Sequence, residues 1–143
     1  MLISTRGRYA LRVLVDLVEQ CSSGNVSLKD ISERQGISLK YMESIMNILS
    51  KSGMVVGSHG KKGGYKLSRE PQEYRVGDIL RLTEGSIAPI ACVDCDASEK
   101  EECLRKSTCR TRPMWEKLNE LIVGYLDHVT LADLARMNDG SYI

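Results

Sequence analysis

Four of the five cysteines, Cys92, Cys95, Cys103 and Cys109, fall within 18 residues in the spacing C-x2-C-x7-C-x5-C. Thiolates are soft ligands, and four of them in one stretch can complete a tetrahedral zinc site or hold an iron–sulfur cluster. A zinc ribbon pairs two C-x2-C knuckles across a longer separation, and this spacing does not reproduce it. A different chemistry stands upstream. The loop Gly57-Ser58-His59-Gly60-Lys61-Lys62-Gly63-Gly64 gathers four glycines, two lysines and one histidine. Glycines let a backbone approach a polyanion closely and lysines neutralise phosphates, although a solvated hairpin tip has a similar composition.

The 143-residue chain carries a net charge of +1, which looks unpromising for a nucleic-acid binder. The total hides an asymmetry. Residues 1–70 hold 11 Lys+Arg against 6 Asp+Glu, whereas residues 71–143 hold 9 against 13. A basic half fit to approach phosphates is joined to an acidic half that holds the cysteine cluster. The composition, 42% hydrophobic and 27% charged, is that of a globular chain and excludes disordered and collagen-like architectures. No apolar run approaches the roughly 18 residues of a membrane span, and no cleavable signal pattern is present. These features place the protein in the cytoplasm, where an odd number of cysteines reads as metal ligands or redox groups rather than a disulfide framework.

The elements that must position these groups follow from periodicity. Ala10, Val13, Leu14, Leu17 and Val18 recur at helical spacing, predicting an amphipathic helix over Arg6–Glu19 that ends at the turn formers Cys21–Asn25. Cys21 is expected to be a buried small apolar residue of this helix. Ser27 caps a short helix that stops at Gly36. Ser38 caps a third, Leu39–Ser52, with Met42, Ile45, Met46 and Leu49 on one face. Two helices joined by a tight turn form the layout of a helix-turn-helix. The strand-like runs Met54–Val56 and Tyr65–Leu67 then flank the glycine–lysine loop as a wing. A short helix over Arg75–Gly85 comes next, followed over Ser86–Arg112 by a long loop or partly helical excursion. Pro113 suits the first turn of a further helix, Met114–Asp127, with Leu118, Leu121, Ile122, Tyr125 and Leu126 on its apolar face. Such a face predicts a dimerisation helix. A last short helix over Leu131–Met137 and a polar tail complete a mainly α fold with a small β-hairpin wing.

The opening Ile3-Ser4-Thr5-Arg6-Gly7-Arg8-Tyr9-Ala10, the run Ser38-Leu39-Lys40-Tyr41-Met42-Glu43, the wing Gly60-Lys61-Lys62-Gly63-Gly64-Tyr65 and the later Gly77-Asp78-Ile79 with Glu84-Gly85 resemble the Rrf2 family of bacterial transcriptional regulators. The resemblance covers nearly the whole chain. It implies a winged helix-turn-helix homodimer on a roughly palindromic DNA operator, with the long C-terminal helix crossing to the partner. The implied organisation is a DNA-binding domain over 1–85, a cysteine-rich cluster-binding loop over 86–112, and a dimerisation helix and tail over 113–143. The third helix is expected in the major groove, with Ser38, Lys40, Tyr41, Glu43, Ser44 and Asn47 on the DNA side. Arg6 and Arg8 are expected near the DNA backbone, and His59, Gly60, Lys61, Lys62, Gly63, Gly64 and Tyr65 form the wing contact. Glu43 is informative because a carboxylate does not favour phosphate; by resemblance it discriminates between operators. Lys40 and His59 depart from the residues usual at their positions, which alters the expected operator preference.

In cluster-binding members of the family three cysteines precede the dimerisation helix, the last two separated by five residues. That resemblance makes Cys92, Cys103 and Cys109 ligands of an iron–sulfur cluster, of the 2Fe–2S type, and leaves Cys95 over. One type of relative supplies a histidine three residues after the third cysteine, where this chain has Arg112, which stays protonated and cannot ligate. Another type supplies an acidic residue near the start of the partner's first helix, where this chain has Arg8. Cys95 is then the candidate fourth ligand. The expected function is a homodimeric regulator, acting as a repressor, whose operator binding responds to iron, redox state or nitric oxide. The alternatives are a cluster-free regulator of cysteine and sulfur metabolism and a zinc-stabilised protein-interaction module. An enzyme is not expected: there is no cofactor fingerprint, and His59 and His128 lie far from the cysteines in sequence.

Overall fold

Three serines close the amino ends of the first three helices. Ser4 accepts from the Gly7 amide at the start of α1 (Thr5–Glu19), Ser27 from Asp30 at α2 (Leu28–Gln35), and Ser38 from Tyr41 at α3 (Leu39–Lys51). Each cap satisfies an amide that the helix itself leaves without a partner. Gly36 ends α2 in the left-handed conformation at φ 63°, so the chain reverses into α3 within three residues. These bounds come from a computed structural model that describes residues 2–94 and 103–137.

The apolar stripes of α1 and α3 meet in the main core. Ala10, Val13, Leu14 and Leu17 pack with Ile31 of α2 and with Met42, Ile45, Met46 and Leu49, all buried. Burying each of the larger side chains contributes about 1.5–3 kcal/mol. One charge sits among them. Asp16 is 2% exposed and accepts from Arg34 Nε at 3.0 Å and Nη2 at 2.7 Å, and from Gln35 Nε2 at 2.9 Å, which fixes α2 against α1. The same carboxylate raises the Arg34 pKa above the usual guanidinium value.

Strands β1 (Val55–Ser58) and β2 (Gly64–Leu67) form an antiparallel hairpin in which Val55 faces Leu67 and Gly57 faces Tyr65. Tyr65 also exchanges two main-chain hydrogen bonds with Val26, both 2.8 Å, so the hairpin is sewn to the chain before α2. Tyr74 joins this part of the fold to the rest. Its hydroxyl donates to the Met54 carbonyl at 2.6 Å and accepts from the Ser68 and Arg69 amides, while its carbonyl accepts from Leu131.

Helix α4 (Val76–Glu84) packs against both α1 and α5 (Arg112–His128). Pro113 occupies the first turn of α5, so the helix begins two residues before Met114. Within the stretch from Ser86, Ala91–Val93 makes a 3-10 turn, in keeping with a partly helical excursion. After α5 the chain pairs back on itself, with the Val76 amide donating to Val129 and an isolated bridge between Arg75 and Thr130. Helix α6 (Leu131–Arg136) opens on a reciprocal cap between Thr130 and Asp133, which lowers the Asp133 pKa, and buries Leu131 in the same core as α1. The observed architecture is the mainly α one with a two-stranded wing that the sequence predicts.

Cys21 departs from its expected place. It is exposed, in the 3-10 turn Cys21–Ser23. Gln20 ends α1, so the residue lies past the last turn and leaves the buried stripe. Among the described residues no helix is long and apolar enough to cross a membrane.

Candidate nucleic-acid interface and cysteine loop

Burial of Met42, Ile45, Met46 and Leu49 turns the opposite face of α3 outward, and Lys40, Glu43, Ser44 and Asn47 are all exposed there. Their spacing of three and four residues aligns them on one stripe about two turns long. Such a stripe carries donors, acceptors and one carboxylate, the functional groups needed to read base edges. Two other residues expected on this side are engaged within the protein. Ser38 spends its hydroxyl lone pair on the Tyr41 amide, and the Tyr41 ring stands edge-on to Tyr9 of α1 at 5.7 Å. Arg12 stacks on the Tyr9 ring from 5.2 Å. A groove of about 500 Å³ runs between the amino ends of α1 and α3, lined by Thr5, Tyr9, Gly36, Ile37, Ser38 and Tyr41.

Arg6 and Arg8 are exposed on the first turns of α1, where the Arg8 guanidinium donates to the Thr5 hydroxyl at 3.2 Å. The helix start that carries them is held by Glu84 of α4, whose Oε1 accepts from the Ser4 hydroxyl at 2.7 Å.

In the wing, His59, Gly60, Lys61 and Lys62 are exposed, whereas Gly63, Gly64 and Tyr65 are half-buried. The glycines divide by role. Gly60 adopts φ 106° and turns the tip, and its carbonyl accepts from Gly63 at 2.9 Å. A Cβ on Gly63 would meet the Ser58 carbonyl at 2.6 Å, and one on Gly64 would meet the Val26 carbonyl at 2.4 Å. Both therefore serve the closeness of the hairpin to its neighbours. Asn25, which sequence reasoning treated only as a turn former, pins the tip: its amide donates to Ser58 Oγ at 2.8 Å and to the Lys62 carbonyl at 3.3 Å.

The cysteine loop ends at the amino terminus of α5. Arg112 donates from Nη1 to the Cys92 carbonyl at 3.3 Å and from its amide to the Cys109 carbonyl at 3.4 Å, which gathers the first and last cysteines of the loop around one residue. The same guanidinium pairs with Glu116 at 2.7 Å. Asn119, one turn further on, donates to the Val93 carbonyl at 3.2 Å, while its buried Oδ1 has no partner among the described residues. Cys92, Cys103 and Cys109 are free thiols, the first two exposed and the third half-buried. The side-chain and backbone hydrogen bonds of Thr111, with a smaller contribution from Arg112, hold the Cys109 thiol below its ordinary pKa. Since thiolate is the ligand form, that environment fits a soft metal or an iron–sulfur cluster. Cys95 lies outside the described residues, and among those described no three His, Cys, Asp or Glu side chains form a ready metal site.

Residues 3–137 match the Rrf2 family model, described as an iron-dependent transcriptional regulator. The chain is 38% identical over 136 residues to Protein rrf2 of Nitratidesulfovibrio vulgaris, covering 95% of this chain and 88% of the relative. It is 37% identical over 139 residues to the HTH-type transcriptional regulator IscR of Serratia proteamaculans, covering 97% of this chain and 82% of that one. Among solved structures, the global cysteine regulator CymR of B. subtilis superposes with a TM-score of 0.81 at 33% identity, covering 95% of this chain and 97% of CymR. T. potens IscR superposes with a TM-score of 0.74 at 36% identity, covering 99% and 89%.

Proposed function

The chain belongs to the Rrf2 family of winged-helix transcriptional regulators, and from that premise we propose that it is a cytoplasmic homodimeric repressor whose hold on a DNA operator is set by the cysteine loop. The family and the relatives above regulate transcription and are not enzymes. The observation that carries the reading is an unbroken chain of contacts from the cysteines to the DNA-facing helices. Arg112 and Asn119 tie Cys92 and Val93 to α5. Asp127 near the far end of α5 takes a two-point ion pair from Arg81 of α4, and Glu84 of α4 holds the start of α1. A change in the loop therefore has a packed path to the interface, along which it can shift the population of binding-competent dimers.

On this reading Lys40, Glu43, Ser44 and Asn47 of α3 face the major groove, Tyr41 and Ser38 orient the start of that helix, and Glu43 selects among sequences by accepting from a cytosine amino group or repelling a wrong base. Arg6, Arg8, Lys61 and Lys62 neutralise phosphates, His59 contacts the DNA beside the wing, and Gly60, Gly63, Gly64 and Tyr65 shape the tip. Cys92, Cys103 and Cys109 would hold an iron–sulfur cluster, with Cys95 supplying the fourth ligand in place of a histidine. Bound there, a cluster supplies a centre whose assembly or damage reports iron, oxidation or nitric oxide. Arg112 keeps Cys92 and Cys109 at one end of α5, and Thr111 favours the Cys109 thiolate. The outward residues of α5, Met114, Leu118, Leu121 and Tyr125, are 38–60% exposed and repeat every three or four positions. A second copy of α5 would cover this stripe and join two DNA-reading halves.

A second reading is a cluster-free thiol sensor of cysteine metabolism, favoured by the superposition on CymR and by the depressed Cys109 thiol. Anaerobic purification with absorbance spectroscopy and iron and sulfide analysis separates the two. The cluster reading expects coloured protein with iron and sulfide in stoichiometric amounts, lost in Cys109→Ser. Colourless, iron-free protein that binds operator under thiol control would favour the second.

A further inference from the structure

Gly7, Gly77 and Glu84, two glycines and one acid of the resemblance motifs, each sit at a contact of α4. Glu84 Oε1 accepts from the Ser4 hydroxyl at 2.7 Å, and Oε2 accepts from the Ser4 amide at 3.4 Å. Ser4 in turn accepts from the Gly7 amide at 3.3 Å. A Cβ at Gly7 would stand 2.4 Å from Glu84 Oε1, so the absence of a side chain there is what lets α4 bring its carboxylate to the end of α1. The carboxylate also lies at the positive end of the α1 dipole. Two consequences follow for that end. The amides of Ser4 and Gly7 are occupied within the protein, and the exposed side chains of Arg6 and Arg8 are the cationic groups that this end offers to a phosphate. And the serine that caps the helix end carrying those two arginines is bonded to a residue 80 positions away from it on another helix.

We propose that Glu84 is a positioning residue for DNA binding: through Ser4 it fixes the amino end of α1 so that Arg6 and Arg8 meet the DNA backbone. The inference rests on the reading above that these arginines contact phosphate. It assigns Glu84 no contact with DNA. One turn before it on the same side of α4, Arg81 pairs with Asp127 of α5, and Gly77 one turn earlier lies close against that carboxylate, so α4 links the helix that follows the cysteine loop to the end of α1 that carries the arginines.

The test measures binding of the full-length protein to a palindromic duplex selected from a random-sequence pool, as a function of salt. Variants are Glu84→Ala, Glu84→Gln, Arg6→Ala/Arg8→Ala, and the combination of Glu84→Ala with both arginine changes. Each phosphate contact contributes a slope of about −0.9 in log K against log salt. Glu84→Ala is expected to weaken binding about five- to tenfold and to flatten the slope toward that of the arginine double variant. Gln retains an acceptor for the Ser4 hydroxyl and is expected to restore both affinity and slope, whereas adding Glu84→Ala to the arginine double variant should cost less than about twofold. A merely structural role would lower affinity by the same factor in both backgrounds and leave the slope unchanged; that result overturns the proposal. If the arginine double variant itself keeps the full slope, the phosphate reading of Arg6 and Arg8 fails and the proposal falls with it. If that variant flattens the slope while Glu84→Ala does not, the arginine reading stands and Glu84 alone is excluded.

Discussion

Arg81 of α4 and Asp127 of α5 meet in a two-point ion pair, Nη1 to Oδ1 at 2.8 Å and Nη2 to Oδ2 at 3.1 Å, that ties the helix leaving the cysteine loop to the DNA-binding core. Arg81 also reaches Asp78 at 3.4 Å. The guanidinium holds the Asp127 carboxyl below its usual pKa. A carboxylate depressed in the folded state adds stability above its unfolded pKa of about 3.9, and that contribution is lost as pH falls through the folded value. Asp127→Ala should therefore lower stability by on the order of 1–2 kcal/mol at pH 6, with the difference from the parent shrinking below about pH 4. Urea denaturation at several pH values checks this; a deficit that persists unchanged in acid would argue against the ion pair as its source.

Gly77 makes that pair sterically possible, since a Cβ there would stand 1.9 Å from Asp127 Oδ1. Gly77→Ala should destabilise by about 2 kcal/mol or more in the parent and markedly less in the Asp127→Ala background, because the clash and the broken ion pair are one event. Additive losses in a double-mutant cycle would show that Gly77 serves another contact.

At the interface, Lys61→Ala/Lys62→Ala should weaken binding to every duplex and flatten the salt dependence by about one unit of slope for each phosphate no longer neutralised. Glu43→Ala should instead change the ranking among duplexes, with roughly 1–3 kcal/mol at stake for the base it reads. Competition binding across single-base operator variants makes the comparison. Equal loss on all of them from Glu43→Ala would remove it from base reading.

On the outward face of α5, Leu118→Asp/Leu121→Asp should leave the fold intact and shift the protein to monomer, since neither side chain belongs to the buried clusters. Sedimentation equilibrium with circular dichroism reads both quantities. A double variant that stays dimeric would place the subunit interface elsewhere.

Local signals made much of this fold legible. The serine caps, Gly36 and the 3.6-residue stripes of α1 and α3 each state their element within a few residues of sequence, and the bounds expected for those helices fall within about a residue of the observed ones. The groups that join the elements were not legible. Asp16 with Arg34, Tyr74 with Met54, Arg81 with Asp127 and Ser4 with Glu84 are 18 to 80 residues apart, and nothing in local spacing pairs them. The apolar face of α5 shows the same limit. Its period was visible in the sequence, but only packing separates Ile122 and Leu126, half-buried, from Leu118, Leu121 and Tyr125, which stay outward. Glu84 and Gly77 stood in the resemblance motifs, which carried no reason for them until α4 was seen between α1 and α5.

The claim on which the account depends is that the cysteine loop governs operator binding. Its most direct test is fluorescence anisotropy, under anaerobic conditions, of a selected palindromic duplex with iron–sulfide-reconstituted protein and with the same protein after iron chelation, repeated for Cys109→Ser. The account predicts an affinity difference of about tenfold or more between the two states, equivalent to roughly 1.4 kcal/mol, and its disappearance in Cys109→Ser. Equal affinity in both states of the parent protein would contradict it.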